Sequence, residues 1–171
     1  MALPPADPSA APAPRTPLVI GLGNDDRGDD AAGLAVARAL GGRPLGAARV
    51  LEGPREATGL LDLWTGVERV IVVDAVRSGR PPGTVVRLEV GPHGFPSSVR
   101  SSSTHGLSLA EAVGLGISLG AMPRSLVVYG VEAGDFAAGR GLSGPVARGV
   151  IEAARRVADE LAGAAFGADE G

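Results

Sequence analysis

The 171-residue chain has no cysteine and only two histidines, and both scarcities narrow its chemistry. Without cysteine there are no disulfides, no thiolate metal sites and no cysteine nucleophile, and a reducing compartment, the cytoplasm, is the expected location. Positive charge is not in excess: 16 basic residues against 19 acidic ones leave a net charge of −3. That balance gives no electrostatic footprint for nucleic acid or an anionic membrane surface. No stretch approaches the roughly 18 uninterrupted apolar residues of a membrane span. A monomer with neither nucleic acid nor membrane as partner is expected. There is also no internal repeat, no H-E-x-x-H zinc helix and no G-x-S-x-G elbow, which disfavours zincin and serine-hydrolase chemistry.

Glycine and proline, by contrast, are plentiful at 27 and 14 residues. Six of the prolines lie within Met1–Pro17, where 11 of 17 residues are Ala or Pro. Such a segment cannot form an amphipathic helix and is expected to be a disordered tail. Residues 18–166 are long enough to close one hydrophobic core and are expected to form a single domain, with 167–171 frayed.

Within that domain, Leu18-Val19-Ile20 runs into Gly21-Leu22-Gly23-Asn24, a short apolar strand ending in a glycine loop. Asp29 to Leu40 has an acidic start, alanine-rich helix propensity and a Gly41-Gly42 stop. Val50-Leu51 reads as a second strand and Leu60 to Trp64 as a short helix. Arg69 to Val73 is a β-branched run without alternation, as in a strand covered on both faces, and is expected to stop at Asp74. Thr84 to Val90 alternates, with Val86, Leu88 and Val90 opposite Arg87 and Glu89, which suggests an antiparallel edge strand.

The Gly/Pro/Ser-rich stretch Gly91 to Thr104 is too long for a tight turn and is a candidate functional loop that delivers the chain to His105. Ser108 and Glu111 have capping-box spacing ahead of Leu109, Val113 and Ile117, so a helix begins close to that histidine. Leu126 to Val131 is a further continuous strand, and a last helix follows from Ser143, with Pro145 in its first turn and a stripe of Val146, Val150, Val157 and Leu161. Strands alternating with helices predict an α/β three-layer sandwich, a mainly parallel twisted sheet with helices on both faces and one antiparallel edge strand.

Ligands of open α/β sheets bind outside the carboxyl ends of the parallel strands. The loop after the first strand, Asp74 and His105 share that rim. The glycines Gly21, Gly23 and Gly28 are spaced G-x-G-x-x-x-x-G rather than G-x-G-x-x-G. Asp25, Asp26, Asp29 and Asp30 would repel a pyrophosphate, and no P-loop lysine follows, so an acidic loop that attracts cations fits better. Asp29 or Asp30, Asp74 and His105 would suit nickel, zinc, iron or manganese and leave positions open for substrate or water. Each also has an ordinary structural alternative: helix caps for Asp29 and Asp30, a turn former for Asp74, a loop residue for His105. His93 reads as a solvated loop residue. Glu132, at the same rim, is a secondary candidate that could instead order the loop Gly134 to Gly141.

These residues resemble the hydrogenase maturation endopeptidases, which trim the C-terminus of the nickel–iron hydrogenase large-subunit precursor. Val19-Ile20-Gly21-Leu22-Gly23-Asn24 with Arg27-Gly28-Asp29-Asp30 is similar to that family's opening signature. Val72-Val73-Asp74-Ala75-Val76, Ser103-Thr104-His105-Gly106-Leu107, and Tyr129-Gly130-Val131-Glu132 with Gly141-Leu142-Ser143 follow in the same order. The resemblance implies a three-layer α/β fold and a cytoplasmic endopeptidase whose partner is the hydrogenase large-subunit precursor. It assigns the catalytic and metal-binding roles to Asp30, Asp74 and His105. The metal implied is nickel carried by the substrate as a recognition signal, and other divalent metals fit the same donors; a resident catalytic zinc is not implied. Asp30 stands where many relatives have glutamate, and Ala31-Ala32 replaces a pair that often contains glycine. Two further readings compete: a non-cleaving metal-sensing or chaperone module of the same fold, and a nucleotide-binding domain suggested by Gly21 and Gly23.

Overall fold

The computed structural model describes residues 16–54, 56–96 and 106–166. The tail up to residue 15, most of the Gly91–Thr104 loop, His105 and residues 167–171 therefore lie outside the described residues. Five strands form one sheet: β1 (Leu18–Gly21), β2 (Arg49–Glu52), β3 (Arg69–Val76), β4 (Val85–Val90) and β5 (Ser125–Glu132). Four α-helices connect or flank them: α1 (Ala32–Leu40), α2 (Ala57–Trp64), α3 (Gly106–Leu119) and α4 (Gly144–Phe166). A single 3₁₀ turn, Gly28–Ala31, leads into α1.

The strand order is β2-β1-β3-β5-β4. β2, β1, β3 and β5 run parallel, and β4 pairs antiparallel with β5 at the edge, as its alternating sequence predicts. Side chains of β3 alternate between the two faces with the two-residue period of a strand. Ile71, Val73 and Ala75 join Val19, Tyr129 and Val131 under α1 and α4. Val70 and Val72 join Leu18, Ile20, Leu126 and Val128 under α2 and α3. Both faces are thus covered, and β3 and β5 accordingly read as unbroken apolar runs.

Two expected boundaries move. β3 does not stop at Asp74: Ala75 and Val76 continue the ladder opposite Val131 and Glu132, so Asp74 sits inside a strand, paired with Gly130. α3 starts at Gly106, which leaves Ser108 inside the helix rather than at its cap. The capping-box spacing is real in the sequence, but the helix begins earlier than that box would set it. Asp29 and Asp30 are not caps either, since the helical turn they occupy has no side-chain capping bond.

The topology creates a switch point. From β1 the chain passes through α1 to β2 on one side, then through α2 to β3 on the other, so the crevice where ligands of such sheets bind is expected at the carboxyl ends of β1 and β3. Gly33 lets α1 close down on that point. A Cβ there would lie 2.2 Å from the Leu22 carbonyl oxygen and 2.3 Å from that of Val73, so only glycine permits this approach. The backbone bond from Leu22 N to Val73 O, 2.8 Å, prolongs the β1–β3 pairing up to the crevice.

Candidate functional site

Four carboxylates are buried at the carboxyl edge of the sheet: Asp29, Asp30, Asp74 and Glu132, each no more than 2% exposed. Buried charge is costly unless paired, hydrogen-bonded or bound to a cation, so each needs an account. The structure separates them into two kinds.

Asp29 and Glu132 are satisfied by loop amides. Asp29 accepts four hydrogen bonds, from the backbone of Gly134 (2.9 Å), Asp135 (2.8 Å) and Ser143 (2.7 Å) and from the Ser143 hydroxyl (3.0 Å). Burial alone would push its pKa up; the Ser143, Asp135 and Gly134 amides and the Ser143 hydroxyl outweigh that and hold it below the usual carboxylate range. Glu132 accepts from Ser78 N (2.8 Å), Ser78 Oγ (2.6 Å) and Gly79 N (2.9 Å). The alternative role considered for Glu132, ordering the loop Gly134 to Gly141, therefore falls to Asp29, while Glu132 orders the turn after β3. The Arg77 guanidinium stacks over the Phe136 ring at 4.4 Å, so the two ordered loops also touch each other.

Asp74 is of the other kind. Its Oδ1 accepts one bond, from the Ala75 amide at 2.8 Å. Burial pushes its pKa up to about 8; the Ala75 amide opposes this, and the nearby negative charge of Asp30 adds to it. Asp30 is thus the member of the Asp29–Asp30 pair that shares an electrostatic environment with Asp74. Asp74 also has the parity of Val70 and Val72, which places it on the α2/α3 face of the sheet. α3 begins at Gly106, the residue after His105.

Among the described residues no group of three His, Cys, Asp or Glu side chains forms a metal cage. Asp30 and Asp74, two of the three expected donors, are both buried at this edge; the third, His105, lies outside the described residues. His93 is exposed in the turn bridged by Gly91 and Gly94, as expected of a solvated loop residue. At the outer rim Arg38 forks between Asp25 (2.7 Å) and Glu52 (2.8 Å), tying α1 to the loop after β1 and to the end of β2. Sequence reasoning missed this exposed bridge, whose partners are far apart in the chain.

The profile of the hydrogenase maturation protease family matches residues 36–160. The chain belongs to this family. It is 30% identical over 117 residues to the hydrogenase expression/formation protein HupD of Thiocapsa roseopersicina, a stretch covering 67% of this chain and 53% of that protein. The chain thus spans about half the length of that relative. Among solved structures, the hydrogenase maturating endopeptidase HybD from E. coli superposes with a TM-score of 0.74 at 26% identity, covering 87% of this chain and 93% of that one. A HybD NiFe hydrogenase maturation protease from Thermococcus kodakarensis gives 0.68 at 26% identity, covering 85% and 98%. The solution structure of an E. coli endopeptidase gives 0.71 at 28% identity, covering 83% and 89%. The three-layer fold expected from the sequence is the fold of this family. No helix among the described residues is long and apolar enough to cross a membrane.

Proposed function

We propose that this chain is an endopeptidase that removes the C-terminal extension of a nickel-loaded hydrogenase large-subunit precursor. Asp30, Asp74 and His105 engage the nickel that the precursor carries, and that engagement is the recognition signal. The observation that carries this is the burial of two carboxylates, Asp30 and Asp74, at the carboxyl edge of the sheet beside the switch point between β1 and β3. A divalent cation favours the ionised form of such buried carboxylates, whereas an anionic phosphate would oppose it, which disfavours the nucleotide-binding alternative. Family membership supplies the substrate class.

The chemistry follows from the donor set. Two carboxylates and one imidazole leave coordination positions for the precursor's own ligands and for water. The precursor's nickel, held by these residues, would supply a template and a Lewis acid for attack of a water on the scissile carbonyl. The C–N bond would break, the water oxygen would end in the new carboxylate of the mature subunit, and a proton from that water would pass to the amine of the departing extension. The chain works in the cytoplasm as a monomer, with the precursor as its macromolecular partner.

Mass spectrometry of a purified precursor, with and without nickel, incubated with this protein tests the proposal. Loss of the C-terminal extension only from the nickel-loaded form is expected. An intact C-terminus in a stable complex would instead support the non-cleaving docking module.

A further inference from the structure

Asp30 is presented by a weak piece of backbone. The 3₁₀ turn Gly28–Ala31 has only four residues and no side-chain cap, and isolated turns of this type have little stability of their own. Its local bonds are long, with Asp30 N donating to Arg27 O at 3.1 Å and Asn24 N to Asp30 O at 3.2 Å. Shorter bonds tie it instead to the loop between β5 and α4. Asp29 N donates to Asp135 O at 2.8 Å, and the Asp29 carboxylate gathers the Gly134, Asp135 and Ser143 amides and the Ser143 hydroxyl. Gly28, at φ 53°, leaves room for the Asp135 carbonyl, which a Cβ there would meet at 2.7 Å. Gly139 N donates to Asp26 O at 3.0 Å.

We infer that Asp29 and Ser143 are positioning residues for Asp30, locking the turn that carries it to the loop and to the first turn of α4. The inference rests on the proposal that Asp30 and Asp74 engage the substrate's nickel. Two details separate it from a purely structural role. Ser143 immediately precedes α4 and its carbonyl accepts from Ala147 N at 2.8 Å, so the longest helix anchors the clamp. The clamp also acts on the residue adjacent to the ligand. Four donors converge on Asp29, which only an ionised carboxylate can satisfy. In Asp29→Asn the amide NH₂ must face at least one of those donors whichever way the side chain is turned. Ser143→Ala removes a single bond, and Ser143→Thr restores it.

The test compares Asp29→Asn, Ser143→Ala, Ser143→Thr and Asp30→Ala for cleavage of nickel-loaded precursor, well below each thermal midpoint. Amide hydrogen exchange at Asn24, Asp30, Gly134 and Asp135 is followed in parallel. Asp29→Asn is expected to lose about tenfold or more in kcat/KM and Ser143→Ala about threefold, with faster exchange at Asn24 and Asp30, while Ser143→Thr behaves as wild type. If a folded Asp29→Asn and Ser143→Ala both cleave at the wild-type rate, the inference is wrong; should Asp29→Asn not fold, the Ser143→Ala and Ser143→Thr pair decides alone. Asp30→Ala separates the two layers. Normal cleavage by Asp30→Ala overturns the site itself, whereas an inactive Asp30→Ala beside fully active positioning variants overturns only the clamp.

Discussion

Glu160, on α4, offers a quantitative test of how the layers are held together. Its carboxylate accepts from Arg87 Nε (2.8 Å) and Nη2 (2.9 Å), from Arg69 Nη2 (3.1 Å) and from the Tyr129 hydroxyl (2.5 Å). One side chain thereby joins α4 to β3, β4 and β5. The Arg87 hydrogen bonds are the main reason its pKa falls from 4.5 to about 2; burial opposes them, and Tyr129 and Arg69 reinforce them. Because the folded pKa is depressed, the stabilisation is fully present above the unfolded value and is lost as pH falls from about 4.5 towards 2. A shift of that size corresponds to at most about 3 kcal/mol, and because Arg87, the main partner, is 38% exposed, solvent screening leaves about 1–2 kcal/mol of it. Glu160→Gln loses the charge and turns an NH₂ group towards arginine and tyrosine donors. Urea unfolding should show the variant about 1–2 kcal/mol less stable than wild type at pH 7, with the gap closing towards pH 3 and below. A gap that stays constant from pH 7 to pH 2.5 would refute the reasoning, because the loss would then be one of packing rather than ionisation. Precursor cleavage at pH 7 and low temperature should be unchanged, since Glu160 takes no part in the site.

Two further outcomes follow from the loops and helix that shape the crevice. Gly33→Ala adds a Cβ against two rigid carbonyls, so α1 must retreat from β1 and β3; thermal denaturation should show a loss of about 1–3 kcal/mol despite alanine's better helix propensity. A variant as stable as wild type would mean that α1 shifts freely. Glu132→Ala removes the acceptor of the Ser78 and Gly79 amides and of the Ser78 hydroxyl and should cost about 1–3 kcal/mol, with faster amide exchange at Ser78 and Gly79. Unchanged exchange there would show that the turn after β3 holds itself.

The sheet was legible because its central strands obey simple rules. Runs such as Val70 to Val73 and Leu126 to Val131 are apolar at every position since both faces are covered, and the alternation of Val86, Leu88 and Val90 marks the edge. Asp74 was legible as a site residue but not as a strand residue, because propensity ends strands at aspartate and only pairing with Gly130 carries β3 past it. The start of α3 differs from the capping signal as well: the spacing of Ser108 and Glu111 is a local pattern, and the helix begins two residues before it, at Gly106. Adjacent aspartates could not be told apart from the residues alone. Asp29 and Asp30 differ through contacts with Gly134, Ser143 and Asp74, which lie 44 or more positions away in sequence. The same distance hid the partner of Glu132. A buried carboxylate near a loop is easy to expect, but which loop it orders depends on the order of strands in the sheet.

The most direct measurement of the central claim is a crystal structure of the protein soaked with nickel or cadmium, with the metal located by anomalous scattering. The account predicts one ion in the crevice between β1 and β3, with carboxylate oxygens of Asp30 and Asp74 and a ring nitrogen of His105 at about 2.0–2.4 Å. An ion held elsewhere, or one bound by Asp30 and Asp74 while the His105 ring lies beyond coordinating reach, would contradict it.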